Sequence, residues 1–110
     1  MKTSELTGAA LDWAVAKCEL GEAINEIDDP HFYSNDWALA GPIIEREWLD
    51  IISWPNESDE DMRWQCKQHD MRIDCVAFGP TPLIAAMRCY VASVLGDEVE
   101  VPDELKEVMA

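Results

Sequence analysis

The chain has 110 residues, with 23 acidic against 8 basic, and a formal net charge of −15. That length gives one domain with a core of its own, and 48 % hydrophobic content excludes global disorder. The charge argues against direct contact with nucleic acid or an anionic membrane surface, because both would repel it. The longest apolar run, Pro82 to Leu95, is too short for a bilayer and is interrupted by Arg88. The opening Met1-Lys2-Thr3-Ser4-Glu5 lacks a signal-peptide pattern, so a cytoplasmic location is expected.

The first helix is predicted over 7–20. Thr7 is placed to cap it, and Leu6 and Leu11 stand at the two positions of a hydrophobic staple. Leu11, Ala14, Val15 and Cys18 then form an apolar stripe, with Asp12 and Lys17 on the wetter side. Residues 22–32 read as a loop broken by Asp28-Asp29-Pro30. A second helix is predicted over 35–47, capped by Ser34, with Asp36 in its first turn and a kink at Gly41-Pro42.

Trp48 to Trp54 is rich in aromatic and β-branched residues and reads as a strand. An acidic turn follows over 55–60. Met62, Trp64 and Cys66 then alternate with Arg63, Gln65 and Lys67, and Met71, Ile73, Cys75 and Ala77 alternate with Arg72, Asp74 and Val76. With Gln68-His69 as a hairpin tip, Trp64 faces Ile73, Cys66 faces Met71, and Arg63 meets Asp74. The third helix, over 81–95, has its ends written in: Thr81 caps it, Pro82 fits its first position and Gly96 its exit. It is apolar almost all round, and Leu83, Ile84, Met87, Val91, Val94 and Leu95 would contribute about 10 kcal/mol of transfer free energy. Residues 97–110, with six acids and one Lys, are expected to form an acidic, mobile tail, with one helical turn after Pro102. The whole is a single α+β domain over 1–110: a small three-stranded antiparallel sheet flanked by three helices.

Three blocks carry a resemblance: Leu6-Thr7-Gly8-Ala9-Ala10-Leu11-Asp12-Trp13-Ala14-Val15-Ala16; Tyr33-Ser34-Asn35-Asp36-Trp37 through Gly41-Pro42-Ile43-Ile44-Glu45-Arg46-Glu47; and Gly79-Pro80-Thr81-Pro82-Leu83-Ile84 through Gly96-Asp97-Glu98. They resemble the NinX-like family of small phage and prophage proteins, a family of unknown function. They are also similar, remotely, to the phage ABA sandwich domain. That likeness implies helices on both sides of a small antiparallel sheet. Neither supplies catalytic residues for this chain.

The four cysteines, Cys18, Cys66, Cys75 and Cys89, match no zinc template and read as reduced, buried thiols. A metal site of Cys66, His69 and Cys75 lacks a C-x-x-C anchor, and no metal or cofactor is expected. His31 and His69 have no Ser, Cys or Asp at a catalytic spacing, and no glycine loop would cradle a phosphate, so no enzymatic activity is expected. Arg88 needs solvent or a carboxylate, with Asp12 and Asp36 as candidate partners.

Two readings of function follow. In the first, the acidic surface binds a host or phage protein with a basic surface, with Trp37 (beside Asp36) or Trp54 as the apolar anchor. DNA mimicry is its sharpest form. In the second, Arg88 and the helix start at Thr81 hold a small anionic ligand, and the protein acts as a sponge for a signalling nucleotide.

Overall fold

The computed structural model describes residues 2–20, 32–70 and 73–101. Among them are helices α1 (Gly8–Leu20), α2 (Trp37–Arg46) and α3 (Pro82–Leu95), and strands β1 (Leu49–Ser53), β2 (Trp64–Asp70) and β3 (Ile73–Gly79). The fold is α+β as expected, with one antiparallel sheet in the order β1-β2-β3. Residues 22–31 of the expected loop and the turn after Pro102 lie outside the described residues.

The third helix forms where its end signals put it. The Thr81 hydroxyl accepts from the Ile84 N–H at 3.1 Å, Pro82 opens the helix, and Gly96 leaves it at φ 89°, a left-handed conformation that favours glycine. Its interior is the centre of the molecule: α3 lies across all three strands and carries α1 on its other side. Leu83, Met87, Cys89 and Val91 are buried there with Leu11 and Val15 of α1, Ile43 of α2 and Cys66 of β2. Val94 alone of the six expected apolar contributors is well exposed. Gly79 allows the close approach of α3 to the sheet, because a Cβ there would lie 2.8 Å from the Ala85 backbone nitrogen.

Several expectations are corrected. The cap of α2 is Asp36, whose carboxylate accepts from the Ala38 N–H at 2.9 Å. Ser34 lies before it, buried, and its N–H donates to Asp12 at 2.8 Å. Asp12 is therefore a buried tie between α1 and the entry to α2, not a residue of a wet face. The single helix expected to run through Pro42 is found.

The hairpin also differs. Trp64 pairs with Gly79 and Cys66 with Ala77, each six residues on from its expected partner, and the pairing continues to Asp70 with Ile73. The strands run past Gln68-His69, so the connection falls at 71–72, outside the described residues. The slip is even, so every side chain keeps the face assigned to it. Asp74 pairs with His69, and Arg63 instead donates from Nε to the Glu57 carbonyl at 3.2 Å. Met62 belongs to a 3-10 turn (Glu60–Met62), because the Asp59 carboxylate caps that turn by accepting from the Asp61 N–H.

Among the described residues, the strand residues that join the helices in the core all belong to one face of the sheet. The inner face carries Leu49, Ile51, Trp64, Cys66 and Ala77. The outer face carries Ile52, Gln65, Lys67, Val76 and Phe78. Residues 97–101 do not begin as a free tail: Val99 and Val101 are buried in the core, and Thr3 donates to the Asp97 carbonyl from its N–H and to the Gly96 carbonyl from its hydroxyl.

Candidate functional site

Arg88 comes from the second turn of α3, where its neighbours are apolar and the residue is 5 % exposed. A guanidinium so placed must find acceptors. It finds backbone rather than carboxylates: Nε donates to the Leu6 carbonyl at 2.8 Å and Nη1 to the Phe78 carbonyl at 2.9 Å. Neither Asp12 nor Asp36 is its partner. Asp61 is the nearest acid, at 3.8 Å from Nη1, and its own side chain is mostly exposed. Burial pushes the Arg88 pKa down, and Asp61 offsets that only in part. Arg88 thus ties the entry to α1, the edge of β3 and α3 together.

Thr81 lies two turns before Arg88, about 10 Å along the axis, and its hydroxyl is engaged in the cap. The two do not form one site. Arg88 instead backs a groove of about 360 Å³ between the N-terminal segment and the free edge of β3. Its lining includes Lys2, but also Asp61, Asp97 and Glu98, with Met62, Val76 and Phe78 as its apolar part. The acids outnumber the cations around it.

Three of the tryptophans are exposed. Trp37 opens α2 next to Asp36 and is 56 % exposed. Trp54 follows β1 and is 50 % exposed, and its indole N–H donates to Gln65 Oε1 at 3.0 Å. That bond ties the ring to the outer sheet face, and the Glu57 N–H donates to the Trp54 carbonyl in the turn that leads into the exposed acids Glu57, Asp59, Glu60 and Asp61. Trp48, read from the sequence as a strand residue, is 77 % exposed and stands at φ 55° directly after α2. Nothing in its composition window marks it, because the signal is a backbone conformation. The three are not one patch: α2 and β1 each separate two of them by about 15–20 Å. Trp13 is partly covered, with the Lys17 ammonium 5.1 Å from its ring centroid.

A second polar group clasps the helices. Arg46 of α2 donates to both carboxylate oxygens of Glu19 on α1, at 3.1 and 2.8 Å, and to the Tyr90 hydroxyl on α3. The Tyr90 hydroxyl donates to Glu19 at 2.6 Å. Partial burial works against the Glu19 charge, but the Arg46 and Tyr90 bonds outweigh it and hold the carboxyl below its ordinary value. Asp12 goes the other way, because burial outweighs the bonds from Ser34 and raises its pKa.

Cys66, Cys75 and Cys89 meet beneath α3, where the Cys89 thiol approaches the Cys75 carbonyl at 3.5 Å. A hydrogen bond with Cys66, together with burial, drives the Cys89 pKa far up. Burial, with Glu19 adjacent, pushes Cys18 up to about 12. The Cys89 and Cys18 thiols are therefore poor nucleophiles. Among the described residues no group of three or more His, Cys, Asp or Glu is arranged to hold a metal, and no helix is long and apolar enough to cross a membrane. His31 and the His69 side chain lie outside the described residues.

The fold and its surface define a small acidic α+β domain, with one face of its sheet in the core and Val76 exposed, Ile52 and Phe78 half-buried, on the other. The family model described as Bacteriophage P22, NinX matches residues 2–94, and the chain belongs to that family of phage accessory proteins. No curated protein matches it.

Proposed function

We propose that this protein is a non-enzymatic binding module that takes hold of a host or phage protein through that partner's basic surface. The observation that carries this reading is Trp54. It is a large apolar side chain exposed on a folded surface, its ring held by the bond to Gln65, and four exposed acids follow it in the chain over 57–61. A held aromatic ring costs little entropy to bury, and such residues anchor protein interfaces. The acids supply fast encounter with a cationic partner and little net affinity. The alternative, an anionic ligand at Arg88, has less support. The Nε and Nη1 donors are committed to carbonyls, and Asp61, Asp97 and Glu98 line the groove.

The test is co-purification from host cells producing the tagged protein, at a low and a high salt concentration, alongside Trp54→Ala. A basic protein captured at low salt, lost at high salt and weakened by Trp54→Ala supports the reading. Capture that is indifferent to salt overturns it.

A further inference from the structure

An antiparallel sheet that is packed on one face is expected to be polar on the other. This sheet departs from that rule at its two outer strands. Ile52 on β1 and Phe78 on β3 flank Gln65 in one row across the outer face. Val76 stands in the next row, 43 % exposed, across from Lys67 and Asp50. Trp54 adjoins the same face through its bond to Gln65. Val76 and Phe78 also line the groove at the free edge of β3, where Met62 is exposed as well. The apolar strip therefore runs from Trp54 over the sheet and into that groove. No described helix covers it.

We propose that this outer face is the docking surface itself, and that its occupant is a cationic protein segment. Its aliphatic or aromatic side chains would lie on the strip and its Lys or Arg side chains against the acids at the two ends. The proposal rests on the functional reading above and adds the place. Charge complementarity selects the occupant. Glu57 lies in the turn bonded to Trp54, and Asp61, Asp97 and Glu98 border the groove. Asp61 pairs only loosely with Arg88, at 3.8 Å, and its largely exposed carboxylate can also meet an incoming cation. A second copy of the chain would bring another net charge of −15 to the same face, which disfavours it.

The probe is a pair of synthetic twelve-residue peptides, one alternating Lys with Val and Phe, the other alternating Glu with Val and Phe. Each is titrated into the full chain and followed by amide and indole NMR shifts. The Lys peptide should move the Trp54 indole and the amides of Ile52, Gln65, Val76 and Phe78. Its affinity should fall tenfold or more between 50 and 300 mM salt, and the Glu peptide should not bind. Val76→Ser and Trp54→Ala should each weaken binding at least fivefold, while Val94→Ser, the same loss of apolar surface on α3, should not. Because these positions are exposed, the variants keep the fold, which circular dichroism checks. Shifts centred on Trp37 or Trp48, or equal losses at Val76 and Val94, overturn this placement and leave the functional reading standing. Self-association through the same face also overturns it. A Lys peptide that binds nowhere overturns both.

Discussion

Replacing Arg88 by Met tests whether a buried guanidinium holds this fold by hydrogen bonds or by charge. Met fills much of the same volume but donates nothing. The Leu6 and Phe78 carbonyls, which accept at 2.8 and 2.9 Å, would lose their partner. An orphaned buried carbonyl costs about 1–3 kcal/mol. No buried carboxylate is left behind, because Asp61 is largely exposed, and removing a desolvated cation returns part of the cost. The net expectation is a loss of about 3 kcal/mol, a large share of the 5–15 kcal/mol typical of a domain. Lys at 88 brings one compact ammonium, reaches one carbonyl well, and should cost about 1–2 kcal/mol. Asp61→Asn should cost under about 0.5 kcal/mol, as an exposed, loosely placed ion pair does. Urea unfolding followed by tryptophan fluorescence reads all three. An Arg88→Met protein within about 0.5 kcal/mol of the parent would refute the hydrogen-bond argument. An Asp61→Asn loss as large as that of Arg88→Met would show that the tether is ionic.

Glu19→Gln should lower stability at neutral pH by about 1–2 kcal/mol, moderated by the exposure of Arg46. The Glu19 carboxyl is held below its ordinary value, so its contribution is present above that value and lost as pH falls through the depressed one; the gap between parent and variant should close in acid unfolding curves. Asp12 is raised, so its charged form costs stability as pH rises through its folded value; Asp12→Asn keeps an acceptor for Ser34 and should equal or exceed the parent at neutral pH, whereas Asp12→Ala should fall below it. Trp48→Gly should raise stability by about 1 kcal/mol in thermal unfolding, since φ 55° favours glycine and the indole there is largely exposed. Gly79→Ala should cost about 1–3 kcal/mol, because its Cβ would press the Ala85 backbone of α3 as well as the Ile84 side chain, and a hydrogen-exchange map should show the loss at the β3–α3 contact.

The helices were legible because their signals are local. Thr81, Pro82 and Gly96 mark α3 within a few residues of its ends, and buried positions recur at helical spacing. The sheet faces were legible because alternation survives an even slip, which is why the wrong pairing of Trp64 still put Cys66 in the core. The register itself was not, since it depends on how far the strands continue and not on the residues at one candidate tip. Asp36 and Ser34 are both good caps, and only the tertiary tie between Ser34 and Asp12 decides between them. At the candidate site, the sequence singled out Arg88 and Trp54, but not that Arg88 bonds to backbone carbonyls distant in sequence. The exposure of Trp48 was hidden for the same reason, because a left-handed turn after α2 leaves no trace in a strand-like window.

The seam that joins Thr3 to Gly96 and Asp97, and Leu6 to Arg88, sets a timetable for synthesis. These contacts span 93 and 82 residues of chain, so none can form until α3 and the turn after it have left the ribosome. At 5–20 residues per second, α1 emerges and waits several seconds for the helix that covers it. During that interval Leu11 and Val15, fully buried in the finished protein, face solvent or a chaperone. Productive folding of this chain is therefore a late event, triggered when α3 arrives.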